Sequence, residues 1–267
     1  MAQKHMKKTL SKFIAAALVL VLALSLVGFA PADAAETPEV TSTTSEPEKA
    51  SPYHYYHLAK DYTKTFTGEA GNQIIVESYV NRVVLVGFGD SIKKINKSLK
   101  KIASGFYKNC NVEGAYEYAK SDVDQGKDLE IYTDYVYMGV TYTGTKYVSI
   151  VSENVWYVGG VTNIFDNGLV YDLDTGKRKT ITAVTGLKLD EIKEKFIESV
   201  KNSQSFGEYY DEYADSISAY VDTMTAKDIN FIIDSKGQIS IFIPPYTDPF
   251  FGGIAKTFAL DGVYVAE

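Results

Sequence analysis

The apolar residues of this chain follow two spacings, and the spacing changes several times along the sequence. Spacings of three and four predict amphipathic helices in residues 90–108 and 189–200. Further helical segments are predicted over 112–122 and over about 207–224. Alternation over two residues and short β-branched or aromatic runs predict strands in these segments: 62–67, 72–88, 129–143, 146–158, 165–173, 230–234, 238–243 and 255–260.

Short turn sequences join neighbouring strands, so the strands come in groups with the helices between the groups. Thr143-Gly144-Thr145 and Ser235-Lys236-Gly237 are turns of this kind. Strict alternation of single strands with single helices is absent from the pattern. The sequence therefore predicts an α+β fold, with antiparallel sheets packed with two to four amphipathic helices.

The first 34 residues have the pattern of an export signal. Four lysines precede a nearly uninterrupted apolar run over 13–30, and Ala32-Asp33-Ala34 follows as a small-residue cleavage site. We predict a signal peptide over 1–34 that is cleaved after Ala34. The product is a secreted, extracellular protein, or one associated with the cell surface. The alternative is an uncleaved membrane anchor, since the apolar run is just long enough to span a bilayer if it extends slightly.

Three further segments follow the leader. Residues 35–52 contain mostly Thr, Ser, Glu and Pro and predict a disordered tether, because they hold too little apolar surface to offset the entropy of ordering. Residues 53–128 predict an N-terminal α+β module, and residues 129–267 a C-terminal α+β domain.

The net charge of the chain limits the kinds of partner that it can bind. Removing residues 1–34, which hold four lysines and one aspartate, changes 27 basic and 34 acidic side chains to 23 and 33, a net charge near −10. Such a chain repels nucleic acid and would attract a cationic partner. Lysines on the solvent side of the 90–108 helix indicate either a solvated face or a polyanion site.

No cofactor, metal site or catalytic residue is predicted. Cys110 is the only cysteine, so neither an internal disulfide nor a cysteine metal site can form. The turn at 172–176 resembles a calcium loop but is followed by Lys177 and Arg178, where oxygen ligands are needed. Phosphate-binding loops, serine-nucleophile elbows and zinc-protease motifs are missing.

Candidate binding residues combine aromatic rings with carboxylates. Tyr side chains supply contact area at low entropic cost, and carboxylates steer a basic partner. We expect the two groups of candidate residues to share one surface: Trp156, Tyr157, Glu208, Tyr209, Tyr210, Asp211, Glu212 and Tyr213. The alternative is that the 208–213 group is only the exposed side of an amphipathic helix.

Three segments carry a resemblance to a known family. Residues 147–163 end in Gly159-Gly160, residues 169–177 contain Tyr171-Asp172-Leu173-Asp174-Thr175-Gly176, and residues 241–253 contain Pro244-Pro245-Tyr246. These resemble the extracellular domain of lysozyme-sensing RsiV-type anti-sigma factors, which also occurs at the N-terminus of a peptidoglycan deacetylase. Residues 72–108 resemble its companion module. The His and Pro that commonly follow the double glycine are replaced by Thr162 and Asn163, so no role of that His carries over.

The resemblance and the acidity together predict a non-catalytic binding module of a Gram-positive envelope. Its ligand would be a cationic, lysozyme-like protein or a cell-wall glycan such as peptidoglycan. One alternative is an envelope hydrolase that uses the carboxylates of Glu208, Asp211 or Glu212. The other is a structural spacer domain.

Overall fold

The regular structure comprises two β-sheets and the helices that cover them. The computed structural model describes residues 52–67, 74–110, 112–127, 131–158, 161–246 and 256–266, all within the compact unit Glu48–Glu267. The strands of these residues are β1 Tyr53–Thr67, β2 Ile74–Gly87, β3 Tyr132–Thr143, β4 Tyr147–Val158, β5 Val161–Asp172, β6 Asn230–Ile233, β7 Gln238–Ile243 and β8 Lys256–Tyr264. The helices are α1 Asp90–Asn109, α2 Val112–Asp124, α3 Ile181–Thr185, α4 Leu189–Lys201 and α5 Tyr210–Thr223, with a 3₁₀ turn at Gly207–Tyr209.

The larger sheet has the strand order β1-β2-β3-β4-β5. Its neighbours are antiparallel except for β2 and β3, which run parallel. A parallel pair needs a long crossover, and α1 and α2 form it. The smaller sheet is antiparallel, with the order β6-β7-β8.

Helices α1 and α2 cover one face of the larger sheet. The apolar side of α1, including Ile95 and Leu99, is fully buried against strand residues such as Val148 and Ile150. Asn96 of α1 pairs with the backbone of Leu85, accepting from its N–H and donating to its C=O, each at 2.8 Å. The Asn96 side chain thus supplies hydrogen-bond partners for the β2 backbone beyond Asn81, where the pairing of β2 with β3 ends.

The opposite face of the larger sheet is covered at one end by the smaller sheet. Tyr147 and Val170 belong to the same apolar cluster as the small-sheet residues Ile233, Ile241 and the helices α3, α4 and α5. Burial of this cluster removes a large apolar area from water, which is the main favourable term in folding.

Strand β6 crosses β5 in direct backbone contact at Gly168. A Cβ atom at this position would lie 1.7 Å from the carbonyl oxygen of Phe231, so only glycine fits. Asn230 holds the crossing, since its Oδ1 accepts from Gly168 N–H and its Nδ2 donates to Asp166 C=O, each at 2.6 Å. The Arg178 guanidinium also donates to Gly168 C=O, at 2.7 Å.

The predicted α+β class is confirmed. The differences are the parallel β2–β3 pair, which the hairpin pattern does not indicate, and the longer strands β1, β5 and β8. Strands on both sides of residue 128, the predicted boundary between modules, lie in the one larger sheet, and the boundary itself stays a prediction. The leader and all but residue 52 of the tether lie outside the described residues, among which no helix is both long and apolar enough to cross a bilayer.

Two serines of β4 are fully buried, but only one of them has hydrogen-bond partners among the described residues. Ser149 Oγ accepts from Ile233 N–H at 3.0 Å and from the Thr141 hydroxyl at 2.8 Å, which joins β4 to the smaller sheet. The Ser152 hydroxyl is buried without a hydrogen-bond partner among the residues described. Ser149 therefore stabilises the contact between sheets, while Ser152 costs desolvation energy.

This contrast predicts opposite effects of the same substitution. Ser149→Ala leaves the buried Ile233 N–H without its acceptor and should lower the free energy of unfolding by about 1–3 kcal/mol. Ser152→Ala removes an unpaired hydroxyl and should leave stability unchanged or raise it by up to about 1 kcal/mol. Urea unfolding followed by circular dichroism measures both. Equal losses in the two variants would contradict the assigned hydrogen bonds.

Candidate functional site

The face of the larger sheet beyond the β6 crossing carries aromatic and acidic side chains. Helices α1 and α2 pack on the other face, and α3, α4 and α5 pack with the smaller sheet. Strand alternation and register place five side chains on one face of the sheet, in two adjacent rows: Tyr79 beside Tyr135, and Tyr137, Glu153 and Asp166 beside one another. We call them the tyrosine–carboxylate surface: Tyr79, Tyr135, Tyr137, Glu153 and Asp166.

The register brings these residues together from distant parts of the sequence. Tyr79 is the neighbour of Tyr135, Tyr137 lies opposite Glu153, and Glu153 lies opposite Asp166. Directly opposed side chains on one face have Cβ atoms about 4.5–5.5 Å apart, within contact range. The surface is therefore a continuous strip from aromatic rings at β2 to carboxylates at β5.

Two tyrosines form the aromatic end of the strip. The rings of Tyr79 and Tyr135 are stacked, with centroids 5.0 Å apart and an interplanar angle of 5°. Lys60 of β1 places its Nζ 4.6 Å from the Tyr79 ring centroid and 3.4 Å from the Glu77 carboxylate. The stacked pair already holds a cation, which is the interaction expected of an electron-rich ring face.

Two carboxylates form the acidic end of the strip. Glu153 and Asp166 are half-buried on adjacent strands, and neither makes an ion pair with any residue in the described ranges. Like charges directly opposite each other across a sheet are destabilising. The fold therefore keeps an unfavourable pair that a cation would relieve.

The local environment shifts the titration of these groups. Burial, and then the charge of Asp166, raises the pKa of the Glu153 carboxyl above its usual value. Burial alone raises the pKa of Asp166. Burial followed by the Glu153 charge raises the pKa of the Tyr135 phenol. All three shifts disfavour negative charge, so a bound cation would lower each pKa again.

The arrangement suits recognition by contact and charge. Half-buried carboxylates beside aromatic rings present acceptors and ring faces, which bind ammonium and guanidinium groups. In the described part of the chain, no group of three or more His, Cys, Asp or Glu side chains is placed to hold a metal ion.

Trp156 and Tyr157 lie at the far end of β4, near α2. Both are half-buried and pack against a small cluster that contains Val76 and Ala115. The Tyr157 ring meets the Tyr132 ring edge-on, with centroids 6.0 Å apart. These packing contacts explain the positions of the Trp156 and Tyr157 rings.

The other predicted residues lie on the 3₁₀ turn and the first turn of α5. Tyr210 is half-buried against the apolar cluster of the smaller sheet, with Lys201 Nζ 4.6 Å from its ring centroid. The remaining side chains are exposed: Glu208, Tyr209, Asp211, Glu212 and Tyr213. Hydrogen bonding to Glu208 raises the pKa of the Tyr209 phenol. Tyr210 packs against the apolar cluster of the smaller sheet, whereas Trp156 and Tyr157 pack against the cluster of Val76 and Ala115. The two groups thus contact different clusters, and their role in binding stays a prediction.

Sequence reasoning missed the tyrosine–carboxylate surface. The alternation that places Tyr135 and Tyr137 on one face was visible in the sequence. Glu153 and Asp166 become neighbours only through the β4–β5 register, and Tyr79 joins them only through the parallel pairing of β2 with β3. A correct register for the β4–β5 hairpin would have found the carboxylate pair.

Comparison with known proteins identifies the fold. No protein-family model and no curated protein matches the sequence. A DUF3298 family protein of Bacteroides fragilis is similar in structure, with a TM-score of 0.52, 12% sequence identity, and coverage of 81% of this chain and 96% of that chain. A DUF3298 family protein of Pseudomonas aeruginosa gives a TM-score of 0.48 at 11% identity, covering 82% and 96% of the two chains. The first likeness shows a shared fold; DUF denotes a domain of unknown function.

The raised pKa of Glu153 predicts a pH-dependent effect of neutralising it. Because the folded state disfavours the Glu153 carboxylate, Glu153→Gln should raise the free energy of unfolding at pH 7 by about 0.5 kcal/mol. The gain should shrink as pH falls through the raised pKa and vanish below the ordinary glutamate value, where the carboxyl is protonated in both states. Denaturant unfolding from pH 4 to 8 measures it.

Glu212→Gln serves as the control, because Glu212 is exposed on α5. It should change stability little at any pH. A Glu153→Gln variant that is less stable than the wild type at pH 7, or equally shifted at all pH values, would contradict the assigned environment.

Proposed function

We propose that the protein is an extracellular, non-catalytic binding module whose tyrosine–carboxylate surface takes a cationic protein. The observation that carries this proposal is the opposed pair of Glu153 and Asp166 without a cationic partner among the described residues. A lysine or arginine from a partner would remove the repulsion between the carboxylates and form charge-assisted hydrogen bonds with them.

The charge of the whole chain supports a cationic partner. A net charge near −10 without the leader steers basic proteins toward the surface and raises their association rate at low salt. The half-buried position of both carboxylates reduces solvent screening, so a pair formed there is worth more than one on an exposed helix. The exposed acids of the 208–213 group lack this advantage.

The aromatic end supplies the contact area. Tyr79, Tyr135 and Tyr137 are rigid and amphipathic, and tyrosine is enriched at protein interfaces. The Lys60 ammonium over the Tyr79 ring is an internal example of the contact that a partner's basic side chain would make. Contact area and charge thus lie side by side on one strip.

The sequence resemblance to RsiV-type domains supports a lysozyme-like protein as the specific partner. The predicted leader supports an extracellular location, where such a protein would be met. A cell-wall glycan is the second candidate, favoured by the mixture of aromatic and polar side chains on the strip, since small-molecule sites are lined by aromatic side chains with a few polar groups. The calorimetry experiment described next also tests the two alternatives, a hydrolase and a structural spacer.

The test is isothermal titration calorimetry of residues 35–267 with lysozyme and with soluble peptidoglycan fragments, at low and physiological salt. Lysozyme should bind, with an affinity that falls as salt rises. The double variant Glu153→Gln, Asp166→Asn should weaken binding by about tenfold, roughly 1.4 kcal/mol.

The matched control is the double variant Asp211→Asn, Glu212→Gln, which removes the same charge from α5 and should bind almost normally. Stronger loss in the control would move the site to the residues predicted from the sequence. Binding of neither ligand would overturn the proposal in favour of a spacer, and turnover of the fragments would favour a hydrolase.

A further inference from the structure

A second concave site lies on the opposite face of the larger sheet. It is a cavity of about 280 Å³ beneath the C-terminal end of α1, and its volume corresponds to about nine water molecules. The residues that decide its chemistry are Ser78, Phe106, Tyr107, Cys110, Asp134 and Asn154. Their positions alternate with those of Tyr79, Tyr135 and Glu153, so this cavity and the tyrosine–carboxylate surface are independent sites.

The floor of the cavity is rich in hydrogen-bond acceptors. Asn154 donates from Nδ2 to Asp134 Oδ1 and to Tyr135 C=O, each at 3.1 Å. Both amide protons are therefore engaged, and Asn154 Oδ1 has no donor within the described part of the chain. Beside it, Asp134 is 7% exposed and contributes a carboxylate, while Ser78 is 2% exposed and contributes a hydroxyl.

The walls of the cavity are aromatic. Phe106 and Tyr107 come from the last turn of α1 and line the cavity above the acceptors. Aromatic rings close to a carboxylate favour an ammonium group over a neutral one, because ring faces attract cations and the carboxylate supplies the countercharge.

We propose that this cavity binds the protonated primary amine of a monosaccharide-sized ligand, with Asp134 and Asn154 accepting from the ammonium and Phe106 and Tyr107 enclosing its carbon frame. The Ser78 hydroxyl supplies a third acceptor, as an ammonium with three N–H donors requires. The amine can belong to an amino sugar or to a lysine side chain, which share this chemistry.

Cys110 gives a direct readout of occupancy. It is the only cysteine, it lines the cavity, and it is half-buried with its thiol 3.0 Å from Tyr107 C=O. A ligand in the cavity should slow alkylation of the thiol by iodoacetamide, followed by intact mass. The probes are glucosamine and Nα-acetyl-lysine methylamide. Their controls are N-acetylglucosamine and the Nε-acetylated lysine derivative, which keep the frame but lose the charge.

The expected result is that the amines slow alkylation in a saturable way and their acetylated forms do not; the stronger of the two amines identifies the source. Asp134→Asn should weaken protection by about tenfold, the worth of a hydrogen bond to a charged group. Asp211→Asn, on the exposed side of α5, should leave it unchanged. Circular dichroism checks that each variant is folded.

If Asp134→Asn fails to fold, Phe106→Leu decides, since it removes the ring while keeping an apolar side chain of similar size. Protection that is equal for amines and acetylated forms, absent for both amines, or unchanged in the folded variants would overturn the proposal. The result is independent of lysozyme binding, because the two sites lie on opposite faces of the sheet.

Discussion

The crossing of β6 over β5 at Gly168 is the contact on which the rest of the arrangement depends. Backbone meets backbone there, with room for no side chain, and the Asn230 amide replaces a neighbouring strand by bonding to both Gly168 and Asp166. Ser149 adds a bond from β4 to Ile233. These polar contacts are satisfied within the core, where an unpaired backbone group would be costly. Together they fix which end of the large sheet is covered.

No helix or smaller-sheet strand of the described residues covers the other end of the same face, which leaves that end for recognition. The covered end contributes Tyr147 and Val170 to the main apolar cluster, while the uncovered end carries Tyr135, Glu153 and Asp166. The carboxylate pair is unfavourable for folding, and its raised pKa values express that cost. Residue arrangements that lower stability are expected at functional sites, where a bound ligand compensates for their cost. Asp166 links the two ends, since its carbonyl holds Asn230 and its side chain faces Glu153.

Much of the local structure could be predicted from the sequence because it is set by neighbours in the chain. The spacing of apolar residues predicted α1, α4 and α5, and the strand and turn patterns predicted the hairpins β3–β4 and β6–β7. The parallel pairing of β2 with β3 and the crossing at Gly168 could not be predicted, since each joins segments far apart in sequence and depends on tertiary packing. The tyrosine–carboxylate surface could not be predicted for the same reason. Composition pointed to Glu208 and Asp211, whereas Glu153 and Asp166 are paired only by strand register.

The most direct test is chemical-shift mapping of the ¹⁵N-labelled chain, residues 35–267, titrated with unlabelled lysozyme. We expect the perturbed amides to cluster in 79–81, 135–137, 153–155 and 164–166, across four strands and at the end of the face that carries the tyrosine–carboxylate surface. Perturbations confined to 208–213, to the lysines of α1 or to no residue would contradict the assignment of this surface as the binding site.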